Sequence, residues 1–115
     1  MGSFKKILQI GKQIDLQKAH YEFIGMFLLS KSGLEMLKGA WERALNEFKS
    51  KQFYEAPNVA QASMTDLFQY VIDQGIEVHG LVIEHGWSEI YALDDYERLN
   101  QYFGEQATSL LYSVP

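Results

Sequence analysis

Residues 21–29 form the sequence feature that most restricts the fold, because apolar side chains occupy both sets of alternate positions in this run. Successive side chains of a strand point to opposite faces, so a strand here would be apolar on both sides. Strands of this kind are typical of the middle of a layered structure, where other elements cover each face. We therefore predict a strand over 21–29 at the centre of a layered fold.

Other segments supply the remaining elements of this fold. The apolar alternation in 7–14 and 76–83 predicts two more strands, and 87–90 is a candidate for a short fourth. Lys12 falls in the alternation with the apolar residues of its strand. The apolar positions of three further segments recur at the three- and four-residue spacing of helices. These helical segments are 34–48, 64–72 and about 93–103.

Capping patterns support two of the three helices. Residues 32–35 and 63–66 each begin with serine and end with an acid three residues later, which predicts helix starts at Ser32 and Ser63. Gly75 stands at the stop position of the second helix.

At 115 residues the chain has the length of one domain with its own core. The predicted fold class is α+β, a single domain over 1–115 with a small mixed sheet of three to four strands packed with three helices.

Composition and charge exclude several classes of function. The chain has no cysteine, which excludes disulfides, thiolate-ligated metals and thiol catalysis, and its apolar runs are shorter than a membrane span. We expect a cytoplasmic protein that binds neither nucleic acid nor membrane. Nine of the ten basic residues lie in 1–51, whereas ten of the fifteen acids follow in 52–115. The two halves either pack together and partly cancel, or the basic half presents a patch for a phosphorylated ligand.

Short motifs follow one another along the chain: IGK at 10–12, YEFIGM at 21–26, MTDL at 64–67, GIEV at 75–78, GWSEI at 86–90 and DDY at 94–96. This ordered series, which covers about residues 7–103, resembles the C-terminal half of sugar-phosphate and phosphocholine-type nucleotidyltransferases. The resemblance implies a half domain of that fold without its nucleotide-binding half. It also implies that Lys12 contacts a phosphate and that Glu22 contacts an acceptor hydroxyl. A lysine stem covering apolar surface and a glutamate at a wet strand end are the simpler alternatives.

The same comparison argues against catalysis by this chain alone. In the family, the motif containing Trp87 and Glu89 continues with a metal-binding aspartate and a helix-capping threonine, whereas Tyr91 and Ala92 stand here. Tyrosine does not replace a carboxylate in a magnesium site, and the family's phosphate loop is absent from the sequence. Nor do the three histidines have the spacing of a metal site, so no cofactor or metal is predicted.

Three functions are consistent with the sequence. The leading one is a non-catalytic binding or interaction protein, derived from an acceptor-binding half and lined by Lys12, Glu22, Trp87 and Glu89. We expect this protein to form a homodimer through its strand layer, with the apolar tail at 110–114 as a second candidate contact. A phosphorylated small molecule is a candidate ligand. The second is a subunit that complements a separate nucleotide-binding half. The third is a purely structural partner-binding protein.

Overall fold

The computed structural model describes residues 3–85, 87–88, 90 and 92–102. The chain forms two compact units, Met1–Ile83 and Glu84–Pro115, and each is described by itself. Among the described residues there are three α-helices and one two-stranded antiparallel sheet, so the α+β class is confirmed. In chain order the elements are β1 (Phe4–Lys6), α1 (Lys31–Phe48), a 3₁₀ turn (Val59–Gln61), α2 (Met64–Asp73), β2 (His79–Leu81) and α3 (93–102).

Helix α1 begins slightly earlier than the capping pattern predicted. Its N-cap is Ser30 rather than Ser32, and the Ser30 hydroxyl accepts a hydrogen bond from the Gly33 amide at 3.0 Å. The Ser32 hydroxyl instead lies 3.1 Å from that of Ser30. The helix ends at Phe48, as its apolar spacing predicted. The first prediction was therefore wrong about the capping serine and right about the helix.

Helix α2 has the ends that the sequence predicted. Ser63 is its N-cap, and the Asp66 carboxylate accepts a hydrogen bond from the Ser63 amide at 2.9 Å. At the other end Gly75 has a φ of 87°, and its amide donates to the Ile72 carbonyl at 3.0 Å. The Ile76 amide then reaches back to the helix, which completes a Schellman stop. Glycine suits this position because other residues rarely adopt a positive φ.

The core of the first unit lies between α1, α2 and the segment that joins them. Ala40 and Ala44 of α1 are fully buried, and small side chains allow the two helices to approach closely. Phe53 and Tyr70 are the largest fully buried side chains. The ring of Phe48 packs edge-to-face on that of Phe53 with centroids 4.9 Å apart, a geometry that adds about 0.5–1.5 kcal/mol to simple burial.

The sheet joins the two ends of the first unit but is smaller than predicted. Strands β1 and β2 pair antiparallel, with Lys5 opposite Gly80. The predicted strand over 76–83 is thus shortened to β2, and residues 7–14 lie outside any strand. Pairing stops soon after the Ile7 amide donates to the Val78 carbonyl at 2.8 Å, because hydrogen bonds to side chains take over along 10–13.

Residues 21–29 also form no strand, so the prediction of a central strand over 21–29 is wrong. Phe23 and Phe27 pack edge-to-face on Phe68 of α2, with centroids 6.0 and 5.3 Å apart. Met26 and Leu28 are nevertheless 77% and 97% exposed. A strand that is apolar on both faces needs cover on both, and the described residues supply cover on one. We call residues 21–28 the apolar segment.

In the second unit, residues 93–102 are helical, in agreement with the third predicted helix. Ala92 has no side-chain oxygen for a cap, but its amide donates to the Asp95 carboxylate at 3.1 Å. Residues 87, 88 and 90 are not in a strand. Phe103 and the apolar tail at 110–114 lie outside the described residues. None of the described helices is long and apolar enough to cross a membrane.

Candidate functional site

An open cavity of about 410 Å³ lies in the first unit, where residues 8–14 run past α2 and the turn at 53–56. Apolar and polar side chains both contribute to its wall. The lining residues are Leu8, Gln9, Ile10, Gln13, Ile14, Tyr54, Glu55, Asp66 and Gln69. A cavity with this mixed lining is the candidate functional site of the first unit.

Glu55 lies in the turn at 53–56, and its side chain binds the backbone of residues 12–13 across the cavity. Reciprocal backbone hydrogen bonds of 3.0 Å between Phe53 and Ala56 close this turn. The two oxygens of the Glu55 carboxylate accept the amides of Lys12 and Gln13, each at 2.8 Å. Successive backbone N–H groups of this kind form a concave anion site, and here the anion is the protein's own carboxylate.

Gly11 is required for this close approach. A Cβ at position 11 would lie 2.7 Å from Oε2 of Glu55 and 3.2 Å from its Cδ. Real Cβ atoms do not tolerate the shorter distance, so a side chain at position 11 would displace the carboxylate. The glycine therefore matters because of the space occupied by Glu55, since its own φ is not in the left-handed region.

Asp66 connects the turn to α2 and is almost completely buried, with 4% of its surface exposed. Its carboxylate accepts the Ser63 amide at 2.9 Å, the Ser63 hydroxyl at 3.1 Å and the Glu55 amide at 3.1 Å. A buried charge is stabilised when donors surround it in this way. Asp66 thus caps α2 and positions the backbone of Glu55 at the same time.

A second polar chain runs along α2 to the same cavity. The Gln69 side chain accepts the Ile10 amide at 2.8 Å through Oε1 and donates to Asp73 at 2.9 Å through Nε2. The hydroxyl of Tyr54 donates to the other oxygen of Asp73 at 2.6 Å. Burial, followed by this hydrogen bond, raises the pKa of Tyr54 well above its usual range. The hydroxyl is therefore a proton donor in this network and stays protonated at neutral pH.

Four of the six polar side chains that line the cavity are hydrogen-bonded within the protein. Glu55, Asp66, Gln69 and Tyr54 each have a backbone or side-chain partner, whereas the other two belong to Gln9 and Gln13. Within the described residues there is also no group of three or more His, Asp or Glu side chains arranged to hold a metal ion. The geometry holds residues 10–13 against α2, and it presents no activated nucleophile to the cavity.

In the first unit, the structure does not join the two candidate residues Lys12 and Glu22 through their side chains. Lys12 and Glu22 are both exposed, and no hydrogen bond or ion pair joins their side chains within the described part of the chain. Only the backbone amide of Lys12 takes part in the network. Trp87 is 41% exposed and belongs to the second unit. Glu89 and Tyr91 lie outside the described residues.

Sequence reasoning missed three residues that build the cavity. Glu55 lies in a stretch without periodicity, and nothing in its neighbours signals that it binds amides more than forty positions earlier. Asp66 was identified as a cap, but its contact with Glu55 is tertiary. Gln69 occupies a helical position where glutamine is usually solvated. The only usable signal was the glycine at position 11, which indicates a close approach of some other group.

We compared the chain with protein-family models, curated proteins and solved structures, and found no match in any of the three comparisons.

Proposed function

We propose that this protein is a non-catalytic binding or interaction protein that associates with a second copy of itself. One observation carries the proposal: large apolar side chains are exposed on the first unit, while both carboxylates that line its cavity are hydrogen-bonded within the protein. Binding by such a surface is driven by burial of apolar area. The resemblance to the acceptor-binding half of nucleotidyltransferases remains part of this proposal.

The apolar segment is the clearest part of this surface. Met26 and Leu28 project outward, and Tyr21 is also exposed. Phe23 and Phe27 contact Phe68 of α2 and are themselves 37% and 50% exposed, so they add to the apolar surface of the segment. Clustered apolar side chains of this kind are typical of interaction surfaces, and burying one Leu or Met contributes about 1.5–3 kcal/mol.

The cavity supports the non-catalytic part of the proposal. An acid or base must be free to exchange its proton with a substrate. Glu55 accepts two amides and Asp66 accepts three donors, so neither carboxylate has that freedom without breaking the local structure. Lys12 extends its side chain into solvent, where it remains the proposed contact for a phosphorylated small molecule.

The test is the mass of the full chain in solution, measured by light scattering across micromolar concentrations. We expect twice the chain mass of 13.2 kDa at the upper end, falling towards one chain mass on dilution. A single chain mass at every concentration would contradict self-association. Thermal shift with phosphocholine tests the ligand, with Lys12→Ala as the variant and Lys18→Ala, another exposed lysine of the same unit, as the control. Equal shifts in the wild type and Lys12→Ala would remove Lys12 from the proposal.

A further inference from the structure

The sheet of the first unit has two open edges, and their hydrogen-bonding groups are specified by the pairing. Inter-strand bonds join Ile7 to Val78 and Val82 to Ser3, each at 2.8 Å. In an antiparallel pair, residues whose amide and carbonyl groups point to the partner strand alternate with residues whose groups point away. The amide and carbonyl of Gly80 therefore point to β1. The backbone groups of its neighbours His79 and Leu81 then point away from β1. Within the described residues these outward groups make no hydrogen bond.

The two edges differ in charge. Strand β1 carries Lys5 and Lys6, and edge lysines are a common way in which proteins discourage pairing with another chain. Strand β2 reads His-Gly-Leu and has no lysine, arginine or acid of its own. Beside β2, Glu77 lies 3.2 Å from the His79 ring and 3.6 Å from the Lys6 ammonium. Lys5 is the β1 lysine for which no ion pair is seen among the described residues, so β1 keeps a charge that β2 itself does not carry.

The sequence of β2 also fits a second copy of itself. In an antiparallel pair centred on Gly80, His79 of one chain lies opposite Leu81 of the other, and this arrangement occurs twice by symmetry. His79 and Leu81 are the residues with outward amides and carbonyls, so four hydrogen bonds form. The two Gly80 residues then form a non-hydrogen-bonded pair, in which the Cα atoms are about 4.5 Å apart. Glycine at this position has no side chain to obstruct the contact.

We propose that β2 pairs antiparallel with β2 of a second copy about Gly80, which gives a four-stranded sheet. Leu81 is 54% exposed and its cross-strand neighbour Phe4 is 73% exposed, so the pairing also extends an apolar sheet face. Two strands alone are marginal, whereas four form an independently stable sheet. This inference rests on the proposed self-association and assigns its contact to the edge of β2 and not to the apolar segment.

Light scattering of full-length variants tests the contact. Leu81→Lys places a charge on the pairing edge, and we expect it to raise the dimer dissociation constant at least about tenfold. Phe4→Lys is the matched control, because Phe4 lies directly opposite Leu81 on the same sheet face but on the other edge. We expect its effect to be less than about threefold, since Phe4 offers no backbone group to the contact. Equal weakening by both variants would contradict pairing through β2.

Amide hydrogen exchange of the wild-type chain supplies a second measurement that needs no variant. The amides of His79 and Leu81 should gain protection as concentration rises, while those of Phe4 and Lys6 should not. A chain that forms a dimer without this protection would overturn the β2 contact and leave the proposed self-association standing. A chain that stays a monomer would overturn both. Loss of the dimer in Met26→Lys but not in Leu81→Lys would place the contact on the apolar segment instead.

Discussion

The contact between Glu55 and Gly11 gives the most discriminating prediction about this structure. The Glu55 carboxylate fills the space beside Gly11 and holds the amides of Lys12 and Gln13. The effect of a side chain at position 11 on stability therefore depends on whether the Glu55 carboxylate is present. The perturbation is therefore a cycle of Gly11→Ala, Glu55→Ala and the double variant.

The magnitudes follow from the contacts. Glu55→Ala removes two charge-assisted hydrogen bonds, and because both are exposed to solvent each is worth about 1–1.5 kcal/mol, below the range of about 1.5–3 kcal/mol for charged acceptors in general. We expect a loss of about 2–3 kcal/mol. Gly11→Ala forces the carboxylate to move and breaks at least one of these bonds, a loss of about 1–2 kcal/mol. In the double variant no clash remains, so the alanine should stabilise by about 0.4–1 kcal/mol through the unfolded state.

Urea unfolding is a suitable assay. Trp41 packs against the core of the first unit, so its fluorescence in a Trp87→Phe background follows that unit alone. With a slope of about 1.5 kcal/mol per molar urea, Glu55→Ala should lower the midpoint by about 1.3–2 M. Adding Gly11→Ala to Glu55→Ala should then raise the midpoint slightly. If Gly11→Ala lowers stability equally in both backgrounds, the carboxylate is not what the glycine accommodates and the reasoning fails.

Two further predictions concern the ends of α2 and its tyrosine network. Gly75→Ala should cost about 1 kcal/mol because the residue has a φ of 87°, whereas Gly39→Ala, inside α1 beside a flexible arginine, should gain up to about 1 kcal/mol in the same urea assay. Equal effects would contradict the stop at Gly75. Burial and the bond to Asp73 raise the pKa of Tyr54, so the folded state keeps this proton more tightly than the unfolded state does. The stabilisation that comes from the Tyr54 proton is fully present below about pH 10 and is lost as the pH rises further. The difference in free energy of unfolding between the wild type and Tyr54→Phe should therefore become smaller above that pH. An advantage that is constant from pH 8 to 11 would contradict it.

The sequence predicted the helices well because their signals are local. The apolar spacing in α1 and the serine and glycine at the ends of α2 act within a few residues of one another. The one error at a helix start arose because Ser30 and Ser32 are both suitable caps, and the choice between them depends on which hydroxyl faces the Gly33 amide.

Strands were predicted poorly because a strand exists only with a partner. Residues 7–14 alternate correctly, yet Gln69 and Glu55 bind their amides before another strand can. The apolar segment has the composition of a buried strand, but its two phenylalanine rings pack on Phe68 of α2 and no strand pairs with it among the described residues. No local rule distinguishes these outcomes, since the competing partners lie more than forty residues away.

The cavity was not predicted from the sequence. Neither Lys12 nor Glu22, the two candidates in the first unit, is among the residues that line it. Lys12 contributes its backbone amide to the hydrogen bonds beside the cavity, whereas the sequence prediction concerned its side chain. Side-chain chemistry can be read from a sequence, but an exposed backbone donor is present at almost every residue and carries no such signal.

The pairing of β1 with β2 has a consequence for the order of folding. These strands lie at opposite ends of the first unit, with both helices between them, so closing the sheet carries the largest loop-closure entropy of any contact in that unit. The contact between α1 and α2 spans a much shorter stretch of chain and can form earlier. We therefore expect the sheet to close after the contact between α1 and α2 has formed. When the sheet opens, the inner edges of β1 and β2, which pair with each other in the folded unit, are exposed while the helical core is still intact.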